Sequence, residues 1–567
     1  MSSPARRFLV LATLLALLIG VVGVSAPEVL ARGDTSTRVA GINVDATTIP
    51  QLEALMSRHR LTSVQLVQFY LHRIAKLSPK LHAVIAVSRT ALADARRADA
   101  ARRRGDHRPL LGIPMIVKDN VDTTGMPTTA GSWALAGSTP SDAFIVQRLK
   151  AAGAIIIAKA NLSEWANFRS NPSSSGWSGI GGQTNMPYVL DRNPCGSSAG
   201  TGAAIAADLA TVGVGTETDG SIVCPSGANG LVGIKPTIGL WSRAGVIPIS
   251  ADQDTAGPMA RNVTDAAVVL GAVAAVDPSD PATAAQTGHA FTDYTQFLDA
   301  HALAGKRIGV WRATTYSDTT APTVTPILSD AIATLEARGA TVVDPTDIDL
   351  TAAFAAEFPA LLCEFKSDIA TYLQTNTAAG YPKTLQDLID FNHAHPELEG
   401  GGASHWNSAL FEAAQATNGR DADCAALRAQ ATPPTQAAID DVMAANHLDA
   451  IIALTNGPAW VTDPINGDLG GDFSLFVGSS TASAVAGYGT ITVPAGHVGP
   501  LPIDISFIGG RWSEPELIGF AYDFEQATHA RTPPQFLVST TAAAAPAHGS
   551  NARAGDRATP HRGLGTR

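Results

Sequence analysis

A single lysine, Lys118, closes a short apolar segment at residues 111–117. Side chains alternate between the two faces of a strand, so Lys118 shares a face with Ile116 and Pro114, while Asp119 points the other way. Poor solvation of an ammonium group lowers its pKa and favours the neutral amine, which can act as a general base toward a serine hydroxyl. Taken alone, such a lysine more often reaches water or pairs with a carboxylate. The catalytic interpretation therefore depends on the serines.

Glycine and serine are concentrated between residues 172 and 236. Glycine allows close approach of the main chain to a ligand, although turn formation alone explains most single clusters of this kind. Four clusters in one short stretch favour a site built from backbone amides. They read SSSG at 173–176, GIGG at 179–182, GSSAG at 196–200 and GTETDGS at 215–221.

One of these clusters, residues 196–200, also fits the G-x-S-x-G nucleophile elbow of α/β-hydrolases, with Ser198 as the nucleophile. An elbow must follow directly on a strand. Here Asn193 and Pro194 precede the cluster and favour a loop. The elbow is therefore the weaker alternative.

Several other kinds of site are excluded by the sequence. It contains no phosphate loop, no H-E-x-x-H motif and no paired C-x-x-C motif. Gly213 and Gly215 lack the third glycine of a dinucleotide fingerprint, and the 14 histidines show no metal-ligand spacing. We therefore expect neither a cofactor nor a metal ion.

The composition is that of a globular protein. Of its 567 residues, 45% are hydrophobic and 16% charged, which excludes a wholly disordered chain. Four cysteines are too few for a disulfide scaffold. The 50 acidic residues outnumber the 39 basic residues and give a formal charge of −11, so we expect no nucleic-acid partner.

Apolar runs typical of buried strands alternate with stretches of helical spacing. This alternation predicts an α/β layered fold, and no linker divides it, so we expect one large domain. The segment 354–427 is mostly helical and resembles an insertion that shapes a binding site. The predicted strands are 111–117, 154–158, 211–214 and 307–311, with the pattern returning at 447–453, and the predicted helices are 49–77, 90–104, 143–152, 203–209, 266–276 and 326–338.

The N-terminus has the pattern of a secretory signal peptide. Arg6 and Arg7 precede an apolar run at residues 8–24, and small residues follow. We predict that residues 1–31 form the signal peptide, with cleavage after Ala31; Ala26 is a second candidate. The alternative is a retained membrane anchor, since the run is at the lower edge of a membrane span. The expected location is outside the cell or in the cell envelope.

The C-terminal segment 539–567 lacks periodic apolar residues, which predicts a disordered tail. Export would permit disulfides. Cys195 and Cys224 flank the two serine clusters, and burial or a mutual disulfide is the favoured interpretation for them. Whether these two, or Cys363 and Cys424, form disulfides stays open at the level of sequence.

Four segments, together with the lysine strand, resemble the amidase signature family. The resemblance extends from about Ile49 to Gln535, is dense between Leu110 and Arg261, and implies an amidase domain at residues 44–535. Ser197 and Ser221 lie 24 positions apart, a spacing that this family keeps closely. The segments are Asn193–Gly200, Gly215–Ile222, Gly230–Thr237 and Asp254–Arg261.

The resemblance implies a central mixed β-sheet flanked by helices and a serine mechanism without histidine. Ser221 falls on the family's nucleophile, Ser197 on a bridging serine held in a cis peptide, and Lys118 on the base. The implied reaction turns a carboxamide into acid and ammonia through an acyl-enzyme. The implied oxyanion hole consists of the backbone N–H groups of Thr218, Asp219, Gly220 and Ser221.

Two departures from the family pattern bear on specificity. Asp219-Gly220 stands where many members have Gly-Gly, and Ala199-Gly200 replaces a second Gly-Gly pair. The sequence Asp219-Gly220-Ser221, together with Cys224-Pro225, is most similar to that of exported bacterial peptide amidases. This similarity implies peptide C-terminal amides as substrates. Substrate choice is expected to depend on residues 165–177, 354–427 and 455–473.

Three alternatives stay open. The same triad would serve a hydrolase of fatty-acid or aryl amides or esters. An amidotransferase subunit would need cytoplasmic and tRNA partners, which the N-terminus and the acidic balance disfavour. A catalytically inactive binding protein on the same scaffold is opposed by the joint presence of Lys118, Ser197 and Ser221. The expected partner is a small-molecule or peptide amide, with no membrane contact apart from the signal peptide.

Overall fold

The computed structural model describes residues 36–170, 173–312, 321–400, 406–468 and 478–540. The predicted signal peptide and nearly all of the predicted tail lie outside these ranges, so both stay predictions. Within the ranges, no helix combines the length and the apolar character needed to cross a membrane.

Fifteen strands are present in the described residues. Most inner strands of the central sheet are buried, whereas its two edge strands are partly exposed. Burial on both faces explains why several inner strands read as continuous apolar runs rather than as alternating patterns. The strands are β1 (Arg38–Val39), β2 (Ile42–Asn43), β3 (Val84–Val87), β4 (Pro114–Lys118), β5 (Ile155–Ala160), β6 (Trp177–Ser178), β7 (Gly182–Gln183), β8 (Val212–Glu217), β9 (Val232–Lys235), β10 (Thr255–Ala260), β11 (Arg307–Val310), β12 (Thr341–Val343), β13 (Ala450–Leu454), β14 (Thr490–Val498) and β15 (Leu501–Ile508).

Fifteen α-helices surround the strands in the same part of the chain. The helical spacing at 49–77 resolves into two helices, because Thr48 and Thr62 each form a capping box with a glutamine three residues later. The helices are α1 (Ile49–Ser57), α2 (Ser63–Leu81), α3 (Ala91–Arg103), α4 (Phe144–Ala151), α5 (Ala199–Ala206), α6 (Val223–Ala228), α7 (Val263–Val273), α8 (Ala321–Ala337), α9 (Thr351–Asn376), α10 (Leu385–Ala394), α11 (Pro396–Glu399), α12 (Ala409–Gln415), α13 (Ala422–Asn446), α14 (Ser480–Ala486) and α15 (Glu514–Thr528).

Eleven of the described strands form one sheet in the order β12-β11-β13-β15-β14-β9-β10-β8-β4-β5-β3. Strands β4, β5 and β8 run parallel, whereas β8, β10, β9, β14 and β15 pair antiparallel in succession. The sheet is therefore mixed, and a large apolar core covers it. The α/β class, the single layered domain and the mixed central sheet are confirmed.

The register of two neighbouring strands brings the lysine to the serine clusters. Strand β4 pairs in parallel with β8, with Val117 opposite Val214. Both strands therefore end at the same edge of the sheet, β4 at Lys118 and β8 at Glu217. The glycine-rich turn that carries Ser221 leaves the sheet beside Lys118.

Candidate active site

The amine of Lys118 is fixed by three acceptors. Its Nζ lies 2.7 Å from the Oγ of Ser197, 2.9 Å from the Oγ1 of Thr216 and 3.2 Å from the Thr216 carbonyl oxygen. Asn120 donates a further hydrogen bond of 3.0 Å to the same Thr216 hydroxyl. Lys118 is fully buried, so it neither reaches water nor ends against a carboxylate.

Burial also sets the protonation of this amine. Desolvation lowers the pKa of Lys118 to about 7, and the negative charges of Asp254 and Glu217 only partly oppose the shift. A substantial fraction of Lys118 is therefore the neutral amine at neutral pH. The sequence-based expectation of a poorly solvated lysine agrees with this environment.

The two serine segments lie against each other. The Gly196–Ser197 peptide bond is cis, and the Ser197 carbonyl accepts a hydrogen bond of 3.0 Å from the Ser163 N–H. The N–H of Ser198 donates to the Ser221 carbonyl at 3.3 Å. Ser197 is completely buried, whereas Ser221 is 9% exposed and lines a cavity. The structure thus brings the three predicted residues together, with Ser221 at the cavity and Ser197 in contact with Lys118.

The turn before Ser221 presents backbone donors. Gly220 has a φ of 78°, a conformation that glycine adopts without strain. In the described part of the chain, the N–H groups of Asp219, Gly220 and Ser221 donate to no protein acceptor, whereas those of Ile222 and Val223 both donate to the Glu217 carboxylate. Three successive N–H groups are therefore available to a ligand.

Thr218, the fourth residue predicted for the oxyanion hole, is held in place through its side-chain hydroxyl and its backbone carbonyl. Its hydroxyl donates to Asp254 at 2.5 Å, and its carbonyl accepts from the Gln253 side-chain amide at 2.9 Å. Asp254 also accepts from the N–H groups of Ile249 and Ser250. This network fixes the start of the turn.

Ser198, the nucleophile of the elbow alternative, has a different environment. Its Oγ donates to the Thr216 carbonyl at 3.1 Å and accepts from the Thr216 N–H at 3.2 Å. The side chain is fully buried. Ser198 therefore links helix α5 to strand β8 and does not face the cavity.

Both cysteine pairs form disulfides, which answers the question that the sequence left open. Cys195 is bonded to Cys224, and Cys363 to Cys424. The first bond connects the segment before Ser197 to helix α6 after Ser221, and Trp460 packs beside it. The second joins helices α9 and α13.

A cavity of about 460 Å³ opens in front of Ser221. The three segments predicted to set substrate choice each contribute to its lining, through Phe168, Phe358 and Asp468. The carboxylate of Asp219 lies here too and accepts hydrogen bonds from the Ser480 and Thr481 hydroxyls at the start of helix α14.

Sequence reasoning missed several polar residues of this site. Thr216 and Asn120 stand next to predicted residues, and their proximity to the serines and the lysine was the only available signal. Gln253 and Glu357 contact the turn or the cavity from distant parts of the chain, and no sequence spacing identifies them. In the described ranges, no group of three or more His, Cys, Asp or Glu side chains is arranged to hold a metal ion.

The comparison with known proteins agrees with the sequence resemblance. The Amidase family model matches residues 65–518. The chain belongs to the amidase signature family. A probable amidase of Arabidopsis thaliana is 39% identical over 87% of this chain and 92% of its own length.

Two solved amidase structures are also similar to this chain. The native peptide amidase of Stenotrophomonas maltophilia shares 46% identity, with a TM-score of 0.80 over 87% of this chain and 99% of that protein. A peptide amidase in complex with the competitive inhibitor chymostatin shares 46% identity, with a TM-score of 0.81 over 86% of this chain and 99% of that one. This amidase is accordingly an enzyme that hydrolyses amides.

Proposed function

We propose that this amidase is an exported peptide amidase, which hydrolyses the C-terminal carboxamide of peptides to a free acid and ammonia. The observation that carries the proposal is the fully buried Lys118 amine, 2.7 Å from Ser197, behind a serine that lines a cavity. The similarity to a peptide amidase that binds chymostatin supports a peptide substrate.

In the proposed mechanism the neutral Lys118 amine accepts the proton of Ser197 while Ser197 accepts that of Ser221. The Ser221 Oγ forms a bond to the carboxamide carbon, and the carbonyl π electrons move to the oxygen. Free N–H groups of the turn stabilise this oxyanion, an effect worth about 10²–10³ in rate per donor.

Collapse of the tetrahedral intermediate breaks the C–N bond. The proton held by Lys118 passes through Ser197 to the departing nitrogen, which leaves as ammonia, and the acyl group stays on Ser221 as an ester. A water molecule then attacks this ester, giving up a proton through Ser197 to Lys118. Release of Ser221 with that proton yields the acid and restores the enzyme.

The two disulfides support export, because such bonds persist in oxidising compartments. Sequencing the N-terminus of the protein recovered from the host's cell envelope and culture medium tests this part. We expect a chain beginning at Arg32. An intact Met1 on protein confined to the cytoplasm would contradict it.

Ammonia release tests the activity. The purified enzyme should release ammonia from an amidated dipeptide, and Ser221→Ala should abolish the release while leaving the melting temperature within a few degrees. A panel that adds a fatty amide and an aryl amide decides the substrate class. Turnover of those two amides without turnover of the dipeptide amide would overturn the peptide assignment.

A further inference from the structure

The cavity in front of Ser221 is acidic. Its titratable lining residues are three carboxylates, Asp219, Glu357 and Asp468, and no lysine, arginine or histidine of the described chain lines it. Apolar side chains, among them Phe168 and Phe358, form the rest of the wall. A ligand that fills this cavity therefore gains from apolar surface and from positive charge.

Two of the three carboxylates already accept hydrogen bonds from the protein on both oxygens. Asp468 accepts from the Ser175 N–H at 2.7 Å with one oxygen, and from Trp460 at 3.1 Å and Asn193 at 3.2 Å with the other. Both oxygens of Asp219 accept hydroxyl donors of helix α14. Neither carboxylate needs a ligand to complete its hydrogen bonds.

Glu357 is different. One of its oxygens, Oε1, accepts a hydrogen bond of 2.5 Å from the Gln253 amide. The other, Oε2, accepts from no residue in the described ranges, although the side chain is 91% buried and lines the cavity. Glu357 is thus the one carboxylate of the described lining that keeps an open oxygen for a ligand.

The position of Glu357 is fixed relative to the catalytic turn. Arg428 donates to the Gln253 side-chain oxygen at 2.7 Å, which turns the amide nitrogen of Gln253 toward both Glu357 and the Thr218 carbonyl. Arg428 itself is held by Glu364. The open oxygen is therefore held in a defined place beside the turn that precedes Ser221.

We infer that Glu357 is a specificity-determining residue that binds the protonated α-amino group of a short amidated peptide. The inference rests on the proposed function and names a substrate class within it. Burial and the negative charge of Asp219 raise the pKa of Glu357 to about 8, and an ammonium group at the open oxygen favours the ionised carboxylate again. An N-acylated peptide amide brings no positive charge to this position.

The test uses alanyl-phenylalaninamide and its N-acetyl counterpart with the full-length enzyme. Glu357→Gln keeps the acceptor for Gln253 but places an NH₂ group where the open oxygen stands. We expect it to lower kcat/KM for the free-amine substrate about 10- to 100-fold, mainly through KM, and to change that for the acetylated substrate less than threefold. Glu336→Gln, an exposed residue of helix α8, is the matched control and should change neither.

Equal losses on the two substrates, or no loss on either, would overturn the inference. Calorimetric binding of both dipeptides to Ser221→Ala, with and without Glu357→Gln, separates this inference from the proposed function, because it needs no turnover. Tighter binding of the free-amine dipeptide that disappears with Glu357→Gln supports the role of Glu357, even if the native enzyme releases no ammonia. Equal binding of the two dipeptides to Ser221→Ala would contradict it.

Discussion

Two regions of this amidase meet at the cavity and are built differently. The catalytic region, residues 114–261, holds Lys118 at the end of strand β4, Ser221 in the turn after strand β8 and Ser197 just before helix α5. The helical region, residues 351–446, contributes Glu357 and Phe358 from helix α9, whose Phe354 and Phe358 are 58% and 45% exposed. Its apolar cluster packs around Phe365 and Phe411.

The difference indicates a division of tasks. Proton transfer needs donor and acceptor within about 3 Å, and a buried sheet edge gives that rigidity. Substrate choice needs a surface that changes without disturbing the base, and helices packed outside the sheet give that freedom. We therefore expect changes in the catalytic region to lower kcat and changes in the helical region to alter KM and specificity.

The largest expected effect is that of Lys118→Met, compared with Lys159→Met on the neighbouring strand β5. Both lysines are fully buried, but Lys159 pairs with Asp119 at 3.2 Å. Lys118→Met should lower kcat/KM about 10⁴-fold with the fold intact. Lys159→Met leaves a buried carboxylate without its partner and should destabilise the protein by about 3–5 kcal/mol. Activity assays measure kcat/KM of the two variants, and urea unfolding measures their stability. If both variants were destabilised to a similar extent, Lys118 would have a structural role rather than that of a base.

The pH dependence of unfolding sharpens this contrast. The pKa of Lys118 is lowered from 10.5 to about 7 in the folded protein, so between these pH values the unfolded chain binds more protons. Lys118 therefore lowers the free energy of unfolding below pH 7. This destabilisation declines as the pH rises toward 10.5, by at most about 1.4 kcal/mol per pH unit. Between pH 7 and 10.5, the free energy of unfolding of the native enzyme should therefore rise relative to that of Lys118→Met. A difference that stays constant over this pH range would contradict a lowered pKa of Lys118.

The next effect concerns the activity itself. Because the neutral amine of Lys118 is the proposed base, kcat/KM should rise about tenfold per pH unit below pH 7 and level off above it. The N-acetylated dipeptide amide is the substrate for this measurement, since it does not depend on the ionisation of Glu357. A profile that is flat from pH 5 to 9 would exclude Lys118 as the titrating base.

Removal of each disulfide compares the two regions directly. Replacing Cys195 and Cys224 with alanine should lower kcat about tenfold, because this bond connects the segments that carry the two serines and small misplacements of reacting groups slow catalysis. Replacing Cys363 and Cys424, which are separated by 61 positions, should lower the free energy of unfolding by about 4 kcal/mol and leave kcat within threefold. A larger loss of kcat on removal of the Cys363–Cys424 bond than on removal of the Cys195–Cys224 bond would contradict the assignment of catalysis to one region and substrate choice to the other.

A small effect on activity is also expected for Ser198→Ala. The Thr216 N–H loses its acceptor, so the free energy of unfolding should fall by about 1–3 kcal/mol, while kcat/KM changes less than tenfold. Denaturation and kinetics on the same preparation measure both quantities. A loss as large as that of Ser221→Ala would restore the elbow alternative.

The sequence predicted the strands that carry the chemistry better than those in the middle of the sheet. Strands β4, β5 and β8 are apolar runs and were expected close to their observed bounds. The hairpin β14–β15 was not expected, because Thr492 and Asp504 interrupt its apolar pattern. In the fold the Thr492 hydroxyl donates to one oxygen of the buried Asp504 side chain at 3.2 Å.

The proposed catalytic residues could be selected from the sequence because they lie in short segments with a constrained spacing. The cavity in front of Ser221 was predictable only as three segments, since its polar contacts join distant residues such as Gln253 and Glu357. The pairing of the four cysteines stayed open for the same reason: connectivity depends on which segments the fold brings within bonding distance. Long-range contacts of this kind leave no periodic signal in the chain.

The most direct test of the proposed mechanism is to locate the acyl-enzyme. Acid-quenching the enzyme within milliseconds of mixing with an ester analogue of the dipeptide amide should trap the acyl group, and fragmentation mass spectrometry of the tryptic peptide Asn193–Arg243 localises it. The mechanism predicts the added acyl mass on Ser221 in the native enzyme and none in Ser221→Ala. An acyl group on Ser197 or Ser198, or turnover by Ser221→Ala, would contradict it.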